Sequence, residues 1–461
     1  MKIKFLGACK NVTGSKFFLQ IDGINLLIDC GLFQERELKN RNWEPFSIPP
    51  NQIDYILLTH AHLDHSGYLP KIVRDGFSGK ILCTQPTLEI TKIALLDSAK
   101  LMVEDAEKKR KRHQKEGRKG PYPEIPLYTI SDVEEVFSLF ESVSYNEEIK
   151  ISDKVKIVFY DAGHILGSSF IKIFADGKEI LFSGDIGRFG NPILREPTII
   201  EGTDILIMET TYGDRMHEDR KIAEEKLQNI INETNKKGGN IIIPTFAIER
   251  AQEVLYYLKK LLIEDKIPHL ITFLDSPMAI EITEVFKKYY FYLDGEAEKM
   301  LSEKVSPFDF PLLNFTKSVE ESKMINNIKG SCIIMAGSGM CTGGRIKHHL
   351  IANIEREESS IVFVGYQAKG TLGREILEKN EVRILGNHYK VKARIESIEG
   401  FSAHADRNEL IKWLTLFKKV PEKIFLVHGE KEPIEKFSKI VKEKIPSSNV
   451  IIPSLFEEYE I

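Results

Sequence analysis

The sequence predicts an α/β protein of two domains, the second inserted into the first. Three observations carry this expectation. The first two hundred of 461 residues are dominated by short apolar runs separated by Gly- and Asp-bearing turns. Residues 210–380 instead alternate apolar strands with amphipathic helices, and the stretch from 381 returns to the first pattern.

The elements follow in order. KIKFLG, KFFLQI and NLLIDCG open the chain, and DYILLTH, KILCT, KVKIVFY, SFIKIF, KEILFSGD and DILIMET continue it. Many short β runs with few helices fit a sandwich or mixed-sheet core. The exception is residues 87–117, whose apolar positions recur at three and four and whose end is almost wholly charged after Met102. Beyond Glu209, HEDRKIAEEKLQNIINETNKKGG reads as a helix stopping at Gly238 and Gly239. NIIIPTF, HLITFLD, SCIIMAG and SIVFVGYQ are strands, with IERAQEVLYYLKKLLIE and MAIEITEVFKKYY as helices between them. That alternation implies a parallel sheet covered by helices. The second domain is placed at 210–380, leaving a discontinuous core of 1–209 and 381–461. In the tail VRILG, VKARIESIE and KIFLVHG are strand-like, and ADRNELIKWLTLFKKV and EPIEKFSKIVKEKI are helices.

Composition bounds the class. Hydrophobic residues make up 42% and charged residues 29%, with a net charge of −4, as in ordinary globular proteins. There is no global basic signal for nucleic acid, which leaves a local basic groove open. The five cysteines, Cys9, Cys30, Cys83, Cys332 and Cys341, are odd in number and form no CxxC. The chain begins with a strand-like run and holds no apolar stretch near eighteen residues. A reduced, cytoplasmic protein without a membrane span is expected.

The chemistry concentrates in HAHLDH, His60 to His65, directly after YILLT. Burying three imidazoles and a carboxylate together carries a desolvation cost that partners or a metal must offset. Imidazole and carboxylate without thiolate suit zinc, manganese or iron. The HxH spacing lets His60 and His62 face one ion, with Asp64 and His65 further round a turn toward a second. His164 in DAGHILGS, Asp185 in FSGDIGR, His428 in VHGE and Asp29 in LLIDCG each follow an apolar run near a glycine. That places them at the rim of a sheet. The site expected is His60, His62 and His164 on one metal, Asp64, His65 and His428 on another, and Asp185 bridging the two. Such a set leaves room for a bridging hydroxide, and Asp29 is expected to orient a ligand from behind.

THAHLDHSG resembles the TxHxHxDHxG signature of the metallo-β-lactamase superfamily. METTYG (208–213), DSPMA (275–279), GSGMCTGGRIKHHL (337–350), GYQAKGTLGR (365–374) and FSAHAD (401–406) resemble the β-CASP subgroup, which processes nucleic acids and includes the nuclease of messenger-RNA 3′-end cleavage. The resemblance spans essentially the whole chain. It implies an αββα hydrolase core carrying an inserted β-CASP domain, and two zinc ions per chain. It makes Asp29, Asp64, Asp185, Glu209 and His404 the catalytic set. Glu209 matches the acidic β-CASP motif and braces the site. His404 matches the second motif, as general acid or phosphate partner; its alternative role is only to orient Glu209. His428 matches the third, where DNA-directed members typically lack histidine, which favours RNA. The implied activity is zinc-dependent hydrolysis of RNA, endonucleolytic with 5′→3′ exonucleolysis as a further mode.

Single-stranded RNA is the expected partner, and a homodimer the default assembly. Candidate phosphate contacts are Ser338 and Gly339 in one glycine-rich turn, Arg345 and Lys347 after it, Lys369 and Arg374 in the next, and Ser402 beside His404. The glycine-rich stretches are expected to face a cleft between domains. The basic run 108–119 reads either as a solvated helix end or as an RNA-tracking arm. No separate RNA-binding module is seen, so target choice falls to the cleft or to partners. The rivals are a hydrolase of a small ester, thioester or lactone, a DNA nuclease, and a non-catalytic RNA-binding scaffold. An inserted domain that covers the site counts against the small substrates.

Overall fold

The computed structural model describes every residue except 36, 119–122, 329 and 369. The chain divides into two compact units. The first comprises Met1–Asn191, Arg195–Met216 and His404–Ile461; the second comprises Pro192–Leu194 and His217–Ala403.

The first unit is a sandwich of two seven-stranded sheets among the described residues. One sheet runs Glu458–Glu460, Lys2–Phe5, Phe17–Ile21, Ile24–Ile28, Tyr55–Leu57, Lys80–Thr84, Phe140–Val143. The other runs Asn449–Ile451, Lys423–Val427, Ile205–Glu209, Lys178–Phe182, Ser169–Ala175, Lys156–Asp161, Ile149–Lys150. Side chains alternate across a strand, so a strand apolar on both faces must be covered on both. In Ile205–Glu209, Ile205 and Ile207 join the layer between the sheets, packed with Phe5, Ile28, Phe182 and Phe425. Leu206 and Met208 turn outward onto Leu410, Trp413, Ile434 and Phe437 from the C-terminal helices Arg407–Thr415 and Lys431–Lys444. The first sheet does the same: Leu27, Ile56 and Ile81 face Leu69, Leu88, Leu95 and Val133 on helices. The result is αββα.

The long helix runs Gln85–Glu116. Thr84 caps it by accepting from Thr87 N–H, and Gly117 ends it with φ +63°. Its buried residues crowd between Pro86 and Ala99, and the basic run from Lys108 to Arg118 is exposed apart from His113. Lys119, the last residue of that run, lies outside the described residues. The short helix Ile130–Phe137, closed by a Thr129–Asp132 capping box, was not anticipated from the sequence.

The second unit is built on a six-stranded sheet ordered Leu313–Phe315, Ile271–Asp275, Cys332–Ala336, Ile241–Pro244, Ser360–Phe363, Arg394–Ser397. Every pairing in it is parallel. Ile241–Pro244 and Cys332–Ala336 are buried at every position, as covered parallel strands require. This unit runs to Ala403, where the sequence pattern suggested a return at 381. Arg394–Ser397 pairs with Ser360–Phe363, and the hairpin Glu381–Ile384/Asn387–Lys390 precedes it in the same unit. A half-buried edge strand reads alike in either place, because its alternation does not name its sheet. No helix is long and apolar enough to cross a membrane among the described residues, and all five cysteines are free.

Candidate metal centre

Strand direction gathers the polar residues. Lys156–Asp161, Lys178–Phe182, Ile205–Glu209 and Lys423–Val427 all point the same way in their sheet. Their carboxyl ends share one edge and deliver His164, Asp185, Glu209 and His428. In the facing sheet the parallel pair Ile24–Ile28 and Tyr55–Leu57 delivers Asp29 and the His60–His65 segment. A single turn of helix, Leu63–Ser66, then carries Asp64 and His65 round. Gly31 is what lets this segment sit down: a Cβ there would lie 1.5 Å from the Asp64 carbonyl oxygen. Every one of these residues belongs to the first unit.

Two donor sets result, His60 with His62, His164 and Asp185, and Asp64 with His65 and His428. In the first, His60 Nε2 is 3.1 Å from His62 Nδ1, and His164 Nε2 is 3.3 Å from that same Nδ1. Asp185 Oδ2 is 3.4 Å from His60 Nε2 and 3.5 Å from His164 Nε2. In the second, His428 Nε2 is 3.2 Å from His65 Nε2 and 3.4 Å from Asp64 Oδ2, and Asp185 Oδ1 is 3.3 Å from His65 Nε2. Ligands about 2.0–2.1 Å from a tetrahedral zinc stand roughly 3.3–3.4 Å apart, so these spacings are the edges of such a shell. The two oxygens of Asp185 point one to each set. Among the described residues buried Asp185 Oδ1 has no hydrogen-bond partner, although it lies 3.3 Å from His65 Nε2. Lone pairs facing one another in a buried place are costly unless a cation sits among them. The residues therefore fit a pair of metal ions.

Protonation agrees. Burial pushes His60 down to about 3 and His62 to about 4, and holds His164 well below the usual imidazole range, with the neighbouring His65 adding to the effect at His60 and His404 at His164. These rings are neutral and present lone pairs, the form that binds metal. Burial also opposes charge on His65 and His428, but the surrounding carboxylates together outweigh it, Asp185 with Asp29 at His65 and Asp185 with Asp64 at His428, and raise both.

Behind the donors lies a layer of orienting groups. Asp29 is fully buried with Oδ2 2.7 Å from His65 Nδ1, and it accepts from Thr59 N–H at 2.8 Å and Thr59 hydroxyl at 2.9 Å. Thr59 Oγ1 is also 3.0 Å from His60 Nδ1, and Thr211 Oγ1 is 3.0 Å from His428 Nδ1. Such contacts fix ring orientation. Neither threonine was singled out from the sequence, since a hydroxyl one shell out leaves no spacing signal.

Beside the donors stands a further pair. His404 Nδ1 is 3.2 Å from Glu209 Oε1 and 3.9 Å from Asp185 Oδ2. Glu209 is locked by Ile186 N–H at 2.7 Å and Thr211 N–H at 3.0 Å. Burial disfavours charge on His404, yet Glu209 and Asp185 together raise it to about 9.

The remaining predicted residues belong to the second unit. Ser338 and Gly339 follow Cys332–Ala336, with the Ser338 hydroxyl 3.2 Å from Thr342 Oγ1. Arg345 departs from the phosphate-contact expectation: its guanidinium donates to Asp275 at 2.6 Å and to the Thr316 and Lys317 carbonyls. Asp275 also pairs with buried His349 at 2.6 Å, so Arg345 is committed to holding its own loop. Lys347 is half-buried, Arg374 pairs with Glu378 at 2.7 Å, and Ser402 is buried. Lys369 lies outside the described residues.

Comparison with known proteins matches residues 18–210 to the metallo-beta-lactamase superfamily domain, 251–376 to the Beta-Casp domain, and 388–453 to the Zn-dependent metallo-hydrolase RNA specificity domain. "Ribonuclease TTHA0252" of Thermus thermophilus is 35% identical over 442 residues, 96% of each chain. The chain belongs to the metallo-β-lactamase/β-CASP nuclease family. Other members include an "RNase J-like protein" of Methanocaldococcus jannaschii, 32% identical over 93% of this chain and 92% of that one. The same organism's "Transcription termination factor FttA" is 32% identical over 96% of this chain and 69% of its own length. A crystal structure of a protein of unknown function from Enterococcus faecalis V583 shares the fold, with TM-score 0.56 at 13% identity over 99% of both chains.

Proposed function

We propose that this β-CASP family member is a zinc-dependent ribonuclease that hydrolyses phosphodiester bonds of single-stranded RNA. The observation that carries the reading is the pair of donor sets joined through Asp185, with the His404–Glu209 pair beside them. His60, His62 and His164 would hold one ion, Asp64, His65 and His428 the other, and Asp185 both. Two bound cations supply an activated water and compensate charge on the phosphate.

The chain's own residues supply the rest. Asp29 holds His65 in one orientation, and Thr211 does the same for His428. Glu209 and Asp185 keep His404 charged at neutral pH, and Glu209 occupies its Nδ1, which leaves Nε2 for the substrate. A charged imidazole there donates a proton to the departing oxygen. A relative named as a ribonuclease over nearly its full length, together with the histidine at 428, favours RNA over DNA or small esters. Ser338, Gly339, Lys347, Lys369, Arg374 and Ser402 stay as candidate RNA contacts, with the glycine-rich turns offering amides to phosphate. The unpaired thiols suit a reducing cytoplasm.

Purified protein incubated with end-labelled RNA, matched single-stranded DNA and p-nitrophenyl esters tests the class. RNA cleavage that stops with chelator and returns with zinc is the expected result. Ester turnover without RNA cleavage overturns it. On 5′-phosphorylated RNA, internal fragments at early times identify endonucleolysis, and mononucleotides from the first time point identify 5′→3′ action.

A further inference from the structure

We infer that Phe246 is a stacking platform for one nucleobase, set at the carboxyl edge of the second unit's sheet; the inference rests on the ribonuclease reading and names a base-binding position within it. In open parallel sheets ligands bind where neighbouring strands send their connections in opposite directions. Ile241–Pro244 and Cys332–Ala336 are adjacent and parallel. The chain leaving the first crosses toward Ile271–Asp275 on one side, and the chain leaving the second crosses to Ser360–Phe363 on the other. Phe246 stands two residues past Pro244, at that divide.

The ring is held rather than loose. A Cβ on Gly339 would lie 2.5 Å from its Cδ2 and 2.6 Å from its Cε2, and one on Gly365 would lie 3.5 Å from Cε2. The Cδ2–Cε2 edge of the ring therefore lies against bare backbone that any side chain would displace. The buried Gln367 amide donates to the Gly339 carbonyl at 3.0 Å and the Gly365 carbonyl at 3.1 Å, tying the two glycine turns together. The Phe246 carbonyl accepts from Ala251 N–H at 3.1 Å, fixing its backbone to the following helix. Yet Phe246 is 36% exposed. The ring is thus seated along its Cδ2–Cε2 edge and still partly open to solvent. A flat, preorganised, exposed π-face is what a base recognises, whatever its identity, and ordering the ring in advance removes an entropic cost of binding.

The test is RNA binding without cleavage. A single-stranded 12-mer bearing fluorescein is titrated in chelator against wild type and the variants Phe246→Leu, Phe246→Ala and Phe246→Trp, with circular dichroism and melting as folding controls. Leucine fills the seat but offers no π-face. We expect affinity to fall about tenfold in the leucine and alanine variants and to recover with tryptophan. A series of 12-mers with one abasic site each adds a readout that packing would not move. One position should weaken wild type and leave Phe246→Leu unaffected. Equal binding by wild type and Phe246→Leu, or no such position, overturns the platform while the ribonuclease reading stands. RNA neither bound nor cleaved by wild type overturns both.

Discussion

At His404 two effects of opposite sign meet, and their balance decides what the residue does. Burial alone would leave the ring neutral, but Glu209 at 3.2 Å and Asp185 together reverse that. His404→Ala is expected to keep its zinc, measured by elemental analysis, and to lose about 10²- to 10⁴-fold in cleavage rate. Loss of zinc in this variant would make His404 a ligand instead. Asp29→Asn acts on affinity: with the carboxylate behind His65 gone, zinc binding should weaken about 10- to 100-fold in competition with a chromophoric chelator. Lys16 presents the reverse case. It is buried over the rings of Phe33 and Tyr68, and burial lowers it from 10.5 to about 8. Between those values the unfolded chain binds more protons than the folded one, so wild-type stability should rise as pH climbs from about 8 toward 10.5. Lys16→Met should gain about 1–3 kcal/mol at pH 7 in urea melts, with the gain shrinking at pH 10. HAHLDH was readable at this scale because six adjacent residues carry most of the chemistry. The engagement of Arg345 was not legible for the opposite reason: its partner Asp275 is remote in sequence, so nothing in the glycine-rich stretch signals the pairing.

Among elements, the strand ends do the positioning. Asp29, His164, Asp185 and His428 all sit just past apolar strands, which is why the run-then-polar pattern exposed them in the sequence. Their convergence depended on strand direction, which apolar runs do not encode. Gly31→Ala tests the seating of the His60–His65 segment. The new methyl would occupy the space of the Asp64 carbonyl, so that turn must move. We expect zinc content to drop toward one per chain by elemental analysis, with a fall in stability of at least about 3 kcal/mol in denaturant titration. The strand Arg394–Ser397 and the hairpin before it were legible as elements but not as members of the second unit, because half-buried alternation looks the same on any sheet.

For the molecule as a whole, a strand-rich sandwich and the parallel second sheet followed from periodicity and from strand–helix alternation, and the αββα layering from the family resemblance. The crossing of the chain back to the first unit at His404 did not. Because the candidate donor sets are assembled only in the folded first unit, zinc held there at a hundredfold over its dissociation constant should stabilise that unit by about 2.7 kcal/mol, seen as a higher melting temperature in calorimetry and removed by chelator. The strand Lys423–Val427 pairs with Ile205–Glu209 on one side and Asn449–Ile451 on the other, and the residue after it is His428. During synthesis, His60, His62, His164 and Asp185 have all left the ribosome long before this strand is made. A nascent polypeptide thus holds the His60, His62, His164 and Asp185 donors before it can complete the set that needs His428.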